Sequence, residues 1–371
     1  MQDSLEQDRA LVAETDAQIR EIEAEISKLQ VKEPLTALKD SISVLHASKN
    51  PAQQPLDSYK YPVLTLPNEI LSEVFIHFLP TYPEPPPFLG NLSPTTLTHI
   101  CHQWREIALT TPALWRAIDL RDFTAELAAS LAPLWLERSG CLPLSIRTPD
   151  SEVYYYDDFP SIFGVLIPHR ARWQQLDLRL DDPKHLEVLD GPLPLLRTLS
   201  VYLGHRRDNP LLLQTPLLRT VVLDDCGQPS LILPWSQLTS LTLRIIYPVE
   251  CVSILREARN LVSCTLNGIW AAQPPNDRFA DLTLPRLETL IFERNCDIWV
   301  DLLRLFITPA LRSLEIREDL LDKTDPFASL NSFISKSGCT LNELRITRAS
   351  VHTDVSYRDA FPSIPRVDRY L

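Results

Sequence analysis

The most regular pattern in this chain is a short motif of apolar positions that recurs through its second half. In each copy an apolar residue is followed, after two variable positions, by a second apolar residue and, after one more, by a third. Apolar residues two positions apart predict a strand with one buried face. The copies begin about every 24 residues, a period typical of repeats that each contribute one strand. Eight regular copies follow two irregular ones: Trp115/Ile118/Leu120, Cys141/Leu144/Ile146, Trp173/Leu176/Leu178, Leu196/Leu199/Val201, Leu218/Val221/Leu223, Leu238/Leu241/Leu243, Leu261/Cys264/Leu266, Leu287/Leu290/Phe292, Leu311/Leu314/Ile316 and Leu341/Leu344/Ile346.

The segments between these strands show helical spacing, with Asp297 and Asp325 placed as N-caps. The predicted helices are Thr124–Arg138, Val249–Ala258, Ile298–Ile307 and Phe327–Ile334. A unit of one strand and one helix buries its apolar face only against its neighbours. We therefore predict an α/β fold in which residues 121–350 form a leucine-rich-repeat-like solenoid with a concave parallel sheet, and residues 351–371 form a tail. The alternative is an ordinary α/β domain that is rich in leucine.

The N-terminal segment carries a different, seven-residue pattern. Apolar residues at Leu5, Val12, Ile19 and Ile26, with Ile22 and Leu29 in the second seam position, predict a coiled-coil-like helical segment over residues 1–46. Asp8 and Thr15 interrupt this seam. Two interpretations stay open: a homodimer formed through this helix, or a single amphipathic helix that folds back on its own chain. Residues 47–60 are predicted to be a linker.

Residues 61–120 predict a small helical module. A first apolar helical face follows Leu66-Pro67, and a second surrounds Ile100 and Trp104. Between them, residues 80–94 contain six prolines, which are incompatible with a helix or a central strand. Pro83-x-x-Pro86 matches a weak polyproline ligand pattern, but a stiff surface insertion is the better interpretation.

The ordered set of rare residues in this module resembles an F-box of the kind found in large fungal F-box families. The matching residues are Leu66-Pro67, the Ile70-Leu71 helix, the Cys101-x-x-Trp104-Arg105 helix and the Leu114-Trp115 ending. The resemblance covers about 55 residues. The proline-rich insertion departs from the family pattern, in which a short turn joins the first two helices.

The F-box resemblance implies a non-catalytic substrate-recognition subunit of a Skp–cullin–F-box ubiquitin ligase. Its partners would be a Skp-family adaptor, through it a cullin and a RING-box protein, and a protein substrate of unknown identity. The resemblance places the adaptor contacts at Leu66, Pro67, Ile70, Leu71, Val74, Leu97, Ile100, Trp104, Leu114 and Trp115. Several of these residues, Trp104 and Val74 especially, have packing of the module itself as an alternative role.

Substrate contacts are expected on the open side of the predicted sheet. The candidate residues are Arg179, Arg219, Thr242, Arg244, Glu293, Glu315, Arg317 and Arg345. They carry both signs of charge, which favours a folded or peptide protein ligand over a polyanion. The alternative is a solvated sheet face without a ligand.

Composition narrows the function further. The 371 residues include 63 Leu but only 8 Gly, too few and too scattered for a phosphate-binding loop. The formal charge of −12 disfavours nucleic acid and anionic membranes as partners. Seven Cys without a Cys-x-x-Cys pair and an acidic, polar start indicate a cytoplasmic and/or nuclear protein rather than a secreted or membrane protein.

No combination of residues predicts catalysis. His99, Cys101 and His102 are the densest group of possible metal ligands, but a core cysteine beside surface histidines explains them better. The adjacent Asp157-Asp158 pair is better explained as a solvated acidic loop. We therefore expect no catalytic, metal-binding or cofactor-binding residues. The alternative to a ligase subunit is a leucine-rich-repeat scaffold that dimerises through the N-terminal helix.

Overall fold

The computed structural model describes residues 2–28, 40–49, 62–121, 123, 125–148, 159–180, 183–203, 210–224, 231–269, 280–293, 302–322, 325–347 and 354–370. Most of the predicted linker, the seam residue Leu29, the cap Asp297 and the Asp157-Asp158 pair lie outside these ranges. The chain groups into two compact units, Met1–Leu71 and Ser72–Leu371.

The first unit contains two helices that are joined by an ion pair. Helix α1 is Gln2–Lys28, and residues 40–49 form helix α2. Lys49 Nζ donates a hydrogen bond to the Asp16 carboxylate, which joins the end of α2 to the middle of α1. Helix α2 extends through residue 49 and so includes the first residues of the predicted linker. This contact is compatible with the folded-back interpretation and does not test the homodimer.

Thr15 explains how a polar residue occupies the apolar seam of α1. Its side chain is buried, and its hydroxyl donates to the backbone oxygens of Leu11 at 3.0 Å and Val12 at 2.9 Å. A threonine that satisfies its hydroxyl within its own helix is tolerated on a packed face. Ile19, one turn further along, is also buried.

The helical module that follows has short, capped elements. Its helices are α3 (Asn68–Phe78), α4 (Pro94–Leu97) and α5 (His102–Thr110), with 3-10 turns at Pro62–Thr65 and Pro112–Leu114. Ser93 caps α4, since its hydroxyl accepts the N–H of Thr95 at 3.2 Å. The Phe75 and Trp104 rings lie 4.8 Å apart and pack α3 against α5.

A parallel sheet follows this module. Within the described ranges it has eleven strands, and each pairs in parallel with the next along the chain. The strands are β1 (Ala117–Asp119), β2 (Leu144–Arg147), β3 (Trp173–Leu180), β4 (Thr198–Leu203), β5 (Thr220–Asp224), β6 (Ser240–Ile246), β7 (Ser263–Ile269), β8 (Thr289–Phe292), β9 (Ser313–Arg317), β10 (Glu343–Thr347) and β11 (Arg366–Tyr370). The prediction of an α/β fold with a large parallel sheet is confirmed.

The recurring apolar motif accounts for the buried side of this sheet. Every residue of the eight regular copies is at most 5 % exposed, from Trp173 to Ile346. The neighbouring side chains on the strands are more exposed, as expected when alternate residues point to opposite faces. Cys141, assigned to the second irregular copy, departs from the pattern because it is exposed.

The connections between strands vary more than the sequence predicts. Helices α6 (Ala125–Arg138), α7 (Phe159–Leu166), α8 (Pro248–Glu257), α9 (Leu302–Leu305), α10 (Pro326–Ser337) and α11 (Asp354–Ala360) lie between strands. One helix per unit is wrong for the middle of the sheet. Between β5 and β6 the described residues form the short strand Leu231–Ile232 and a 3-10 turn at Trp235–Gln237. The copies at this point are only about 20 residues apart, which leaves little room for a helix.

Two further boundaries differ from the prediction. The helix predicted to reach Ile307 ends at Leu305, because Phe306–Ile307 pair with Leu282–Thr283 as short parallel strands. The predicted tail instead forms α11 and β11, and β11 extends the sheet with Val367 opposite Leu344. The N-cap at Asp325 is confirmed, since its carboxylate accepts the N–H of Ala328 at 2.8 Å.

A backbone irregularity in β7 supplies a stability prediction. Gly268 has φ of +73°, beside Ile245 of β6 with φ of 51°. A side chain in this left-handed region is strained by roughly 1–2 kcal/mol. We expect Gly268→Ala to lower the free energy of unfolding by about that amount, measured by urea denaturation. The control is Gly164→Ala in α7, where an added Cβ meets no atom within 4 Å and helix propensity adds about 0.5–1 kcal/mol. Equal effects of the two substitutions would contradict this interpretation.

The thiol of Cys264 in β7 supplies a pH prediction. Burial raises its pKa to about 12, whereas a thiol in an unfolded chain has a pKa of about 8.5. Between pH ~8.5 and 12 only the unfolded chain releases the Cys264 proton, which favours the unfolded state. The contribution of the protonated thiol to the free energy of unfolding is therefore fully present below pH ~8.5. As the pH rises towards 12, this contribution is lost by up to about 1.4 kcal/mol per pH unit. We expect Cys264→Ala to have a shallower loss of stability between pH 8.5 and 11 than the wild type, measured by urea denaturation. Parallel curves would show that Cys264 is not the group responsible.

Candidate functional site

An apolar stripe on α3 is exposed to solvent. Ile70, Val74 and Phe78 follow one another at four-residue spacing and are 50 %, 49 % and 38 % exposed. Residues four apart lie on the same face of a helix. A helix whose buried face is already packed and whose second face is also apolar is suited to dock a partner. Two more predicted contact residues are exposed, Leu66 just before α3 and Ile100 just before α5. Pro67, also predicted to contact the adaptor, is exposed as well.

Four predicted adaptor contacts are buried within the protein instead. They are Leu71, Leu97, Leu114 and Trp115, each at most 3 % exposed. Trp115 Nε1 donates to the backbone oxygen of Ala108 at 2.8 Å, and its ring meets Trp135 of α6 edge to face at 5.2 Å. The side chains of these four residues are therefore packed inside the protein.

Cys101 and Trp104 have structural roles at the start of α5. Cys101 Sγ accepts the backbone N–H of Trp104 at 3.5 Å, so this cysteine is the N-cap of the helix. The Trp104 ring packs on Phe75, and its indole Nε1 is shielded from solvent without a hydrogen-bond partner. The Cys-x-x-Trp spacing thus serves helix capping and packing here.

The second candidate surface is the open face of the parallel sheet, opposite the buried leucines. At the amino ends of the strands this face carries an unbroken row of hydroxyl side chains. The row consists of Thr198, Thr220, Ser240, Ser263, Thr289 and Ser313. A second row beside it is charged at both ends of the sheet, with Arg147 and Asp177 at one end and Glu315 and Arg345 at the other. Between these ends the second row is neutral.

Six of the eight predicted substrate residues lie on this face or at its edge. Arg179, Thr242, Arg244, Glu315 and Arg345 are on strands, and Glu293 directly follows β8. Arg244 lies 3.6 Å from the Asp224 carboxylate, and Asn267 Nδ2 donates to Glu293 at 2.7 Å. These residues alternate along their strands with the buried motif positions, as the prediction from two-residue periodicity expects.

Arg219 and Arg317 are exceptions. Arg219 precedes β5, and its guanidinium Nη1 donates to the backbone oxygen of Leu218 at 3.0 Å. Arg317 ends β9 but is only 2 % exposed, and its guanidinium donates two hydrogen bonds to Asp319. Asp319, in the turn that follows, pairs with the buried Arg317. Neither arginine presents its charge on the open face.

A polar groove of about 130 Å³ lies on the open face across β3 to β6. Its lining includes Arg121, Thr148, Asp177, Arg179, Ser200, Tyr202, Val222, Asp224 and Arg244. The Arg179 guanidinium lies 5.4 Å from the centre of the Tyr202 ring. Opposite charges are interspersed along this groove, so it is suited to a polar protein segment and carries no single-sign field.

The proline-rich insertion covers part of the open face, a feature that the sequence did not predict. Arg147 of β2 forms a bidentate ion pair with Glu84, and the hydroxyl of Ser145 donates to the backbone oxygen of Pro83 at 2.7 Å. Hydrogen bonding from Arg147 holds the pKa of Glu84 below its usual value. Pro86 is buried, which removes one of the two prolines of the possible polyproline motif from solvent.

Comparison with known proteins does not assign a family. No protein-family model matches this chain, and no curated protein matches it significantly. The two surfaces described above therefore carry the functional argument. Within the described ranges, no helix is both long and apolar enough to cross a membrane.

The residues that the structure describes form no candidate metal-binding site. These residues include no group of three or more His, Cys, Asp or Glu side chains placed to hold a metal ion. His102 lies on the exposed side of α5, 3.6 Å from Glu106, and the nearby Cys101 is engaged as a helix cap.

At the end of the sheet that contains β9 to β11, the charged side chains form ion pairs with one another. Arg345 lies 2.9 Å from Glu343 and 3.6 Å from Glu315, and Arg366 lies 3.4 Å from Glu343. Desolvation raises the pKa of Glu343, but hydrogen bonds from Ser313 and Arg345 outweigh it, so the pKa is lowered overall. Glu343 therefore stays ionised at neutral pH and balances the arginines beside it.

Proposed function

We propose that this protein is a non-catalytic substrate-recognition subunit of a Skp–cullin–F-box ubiquitin ligase. In this proposal residues 61–120 are an F-box that docks a Skp-family adaptor, which in turn recruits a cullin and a RING-box protein. The parallel sheet is a leucine-rich-repeat array that binds a protein substrate. The protein acts by holding the substrate near the ubiquitin-charged enzyme, which raises the effective concentration of a substrate lysine.

The single observation that carries the proposal is the exposed apolar stripe of α3. Ile70 and Val74 are about half exposed on a helix whose other face is packed. Monomeric soluble proteins seldom leave such a stripe without a function. The stripe also includes Ile70 of the Ile-Leu pair that carries part of the F-box resemblance, and the exposed Leu66 and Pro67 lie just before it. A helix-in-groove contact would bury these side chains against a partner.

The regular strands support the proposed binding of a protein substrate by the parallel sheet. Each unit buries the same three positions of its motif, from Trp173/Leu176/Leu178 to Leu341/Leu344/Ile346. This regular burial leaves a broad face of hydroxyl and charged side chains available to a protein ligand. Because the charges on that face have both signs, a protein segment is a better ligand for it than a polyanion.

The direct test is binding of the purified full chain to a purified Skp-family adaptor, measured by isothermal titration calorimetry. The proposal expects a 1:1 complex with a dissociation constant in the micromolar range or tighter. Addition of a cullin and a RING-box protein is then expected to give a single larger complex in size-exclusion chromatography. A folded chain that binds no Skp-family adaptor would overturn the proposal and leave a repeat scaffold as the remaining function.

The scaffold alternative makes its own measurable prediction. A scaffold that dimerises through α1 has twice the chain mass in sedimentation equilibrium. The ion pair between Lys49 and Asp16 gives α1 a contact within the same chain, whereas the exposed stripe of α3 favours the ligase subunit that we propose. A stable dimer without adaptor binding would favour the scaffold.

A further inference from the structure

The proline-rich insertion lies directly on the open face of the first strands. Residues 80–93 are here called the brace. Two of its residues, Pro83 and Glu84, accept hydrogen bonds from side chains of β2. Ser145 Oγ donates to the Pro83 backbone oxygen at 2.7 Å. Arg147 donates to the two Glu84 carboxylate oxygens at 2.7 and 2.6 Å. Bidentate arginine–carboxylate pairs fix orientation as well as distance.

Tyr82 adds two contacts on the neighbouring elements. Its hydroxyl forms a 3.0 Å hydrogen bond with Gln174 Oε1 of β3. The Arg116 guanidinium, just before β1, stacks on the Tyr82 ring at 3.8 Å from the ring centre. The start of the brace is therefore held by residues belonging to or adjoining three successive strands.

The second half of the brace is anchored by an aromatic residue. Phe88 is 3 % exposed and packs on Trp135 of α6 at 4.4 Å and on Phe123 at 4.9 Å between ring centres. Its backbone oxygen accepts a hydrogen bond from the Ser93 hydroxyl at 2.7 Å. Ser93 also caps α4, so the aromatic anchor is joined directly to the helical module.

The brace thus adds a second set of contacts between the helical module and the sheet, beside those that Trp115 makes with Ala108 and Trp135. One end continues from α3, whose exposed stripe was described above, and the other end leads into α4. Between these ends the chain is fixed to β1, β2 and α6. Five prolines between residues 80 and 87 restrict the backbone freedom of the same segment.

We propose that the brace is a positioning element that holds α3 in one orientation relative to the sheet. This inference rests on the proposed function for its purpose: a partner docked on α3 is then kept at a fixed distance and direction from a ligand on the open face. A fixed geometry favours transfer to a substrate, because reacting groups that are held in place meet more often. Glu84 and Arg147 are positioning residues in this arrangement.

The test uses a charge swap between Glu84 and Arg147 in the full chain, read by amide hydrogen exchange. Arg147→Glu is expected to raise exchange of the Glu84 and Ser93 amides about tenfold, since it places two carboxylates opposite each other. Glu84→Arg combined with Arg147→Glu restores the pair and is expected to return exchange to within about twofold of wild type. Lys336→Glu, which reverses one charge of the exposed ion pair with Asp281, is the matched control and is expected to leave these amides unchanged.

A distance measurement separates positioning from simple stability. Spin labels are introduced as non-natural amino acids at the exposed residues His77 and Asn342, which leaves all seven cysteines in place. The wild type is expected to give one narrow distance distribution, Arg147→Glu a broad one, and the charge swap a narrow one again. A narrow distribution in Arg147→Glu, or a swap that stays broad, would overturn the proposal.

The two proposals fail in different ways. If the wild type does not bind a Skp-family adaptor, the ligase proposal fails, while exchange and distance data still test the brace. If Arg147→Glu binds the adaptor as the wild type does but has an unchanged distance distribution, the brace proposal alone fails. Phe88→Ala, which removes the aromatic anchor without changing charge, is expected to broaden the distribution in the same way as Arg147→Glu.

Discussion

Ile70→Asp is expected to weaken binding of a Skp-family adaptor at least about 100-fold while leaving the protein folded. Ile70 is half exposed, so the isolated protein loses little buried surface when it changes. In a complex, a buried isoleucine contributes roughly 1.5–3 kcal/mol, and a carboxylate at the same place adds the cost of an unpaired buried charge. The measurement is calorimetric titration of the adaptor into the purified variant, with circular dichroism as the folding check.

Two further variants make this experiment decisive. Val249→Asp places the same charge on an apolar side chain of α8 that is 63 % exposed, and it is expected to bind the adaptor as the wild type does. Val74→Asp, on the same stripe as Ile70, is expected to reproduce the loss. If Ile70→Asp and Val249→Asp bind equally well, the stripe on α3 is not the docking surface.

The choice of Ile70 depends on the structure. Its neighbour Leu71 also belongs to the F-box resemblance, but it is 0 % exposed. Leu71→Asp would bury a charge in the core, and loss of adaptor binding would then reflect unfolding. Substitution at Leu71 therefore does not distinguish a docking residue from a core residue.

Trp115→Ala is expected to have the largest effect on stability, lowering the free energy of unfolding by about 3–5 kcal/mol. Trp115 is fully buried at the junction between the helical module and the sheet. It donates a hydrogen bond to Ala108, meets Trp135 edge to face and lies 4.5 Å from the Arg138 guanidinium. Alanine leaves a cavity there and removes the contacts that join α5 to α6. Urea denaturation followed by circular dichroism measures the effect.

Trp115→Phe separates the hydrogen bond from the packing. Phenylalanine keeps an aromatic ring but has no donor for the Ala108 backbone oxygen, so we expect roughly half the loss seen with alanine. Val249→Ala on the surface is the control and is expected to change stability by less than about 0.5 kcal/mol. A loss below about 1 kcal/mol in Trp115→Ala would contradict the role assigned to this residue.

The repeating part of the fold was predictable because its signal is local. A strand with one buried face is recognised by apolar residues at alternate positions. Each copy of the motif contains this alternation within six residues, as Leu241 and Leu243 of β6 show. The N-cap Asp325 and helix α10 were predictable for the same reason. Helix length was less predictable, since Phe306 and Ile307 pair with a segment more than twenty residues earlier in the chain.

The candidate site depended on neighbours that are distant in sequence. Periodicity places Ile70 and Leu71 on one apolar helix, but only packing decides that Ile70 faces solvent and Leu71 the core. Arg317 has the strand position of an open-face residue, yet it is buried and pairs with Asp319.

The sequence by itself determined which segments form the recurring strands, which motif positions are buried and which strand residues lie on the open face. These features depend on local periodicity and hydrophobicity. Tertiary structure alone decided which apolar residues of the helical module remain exposed and where the proline-rich insertion lies. Glu84 and Arg147 are 63 residues apart, and no local pattern encodes a contact between them. Such a pair depends on the tertiary structure, which brings the strand face and the insertion together.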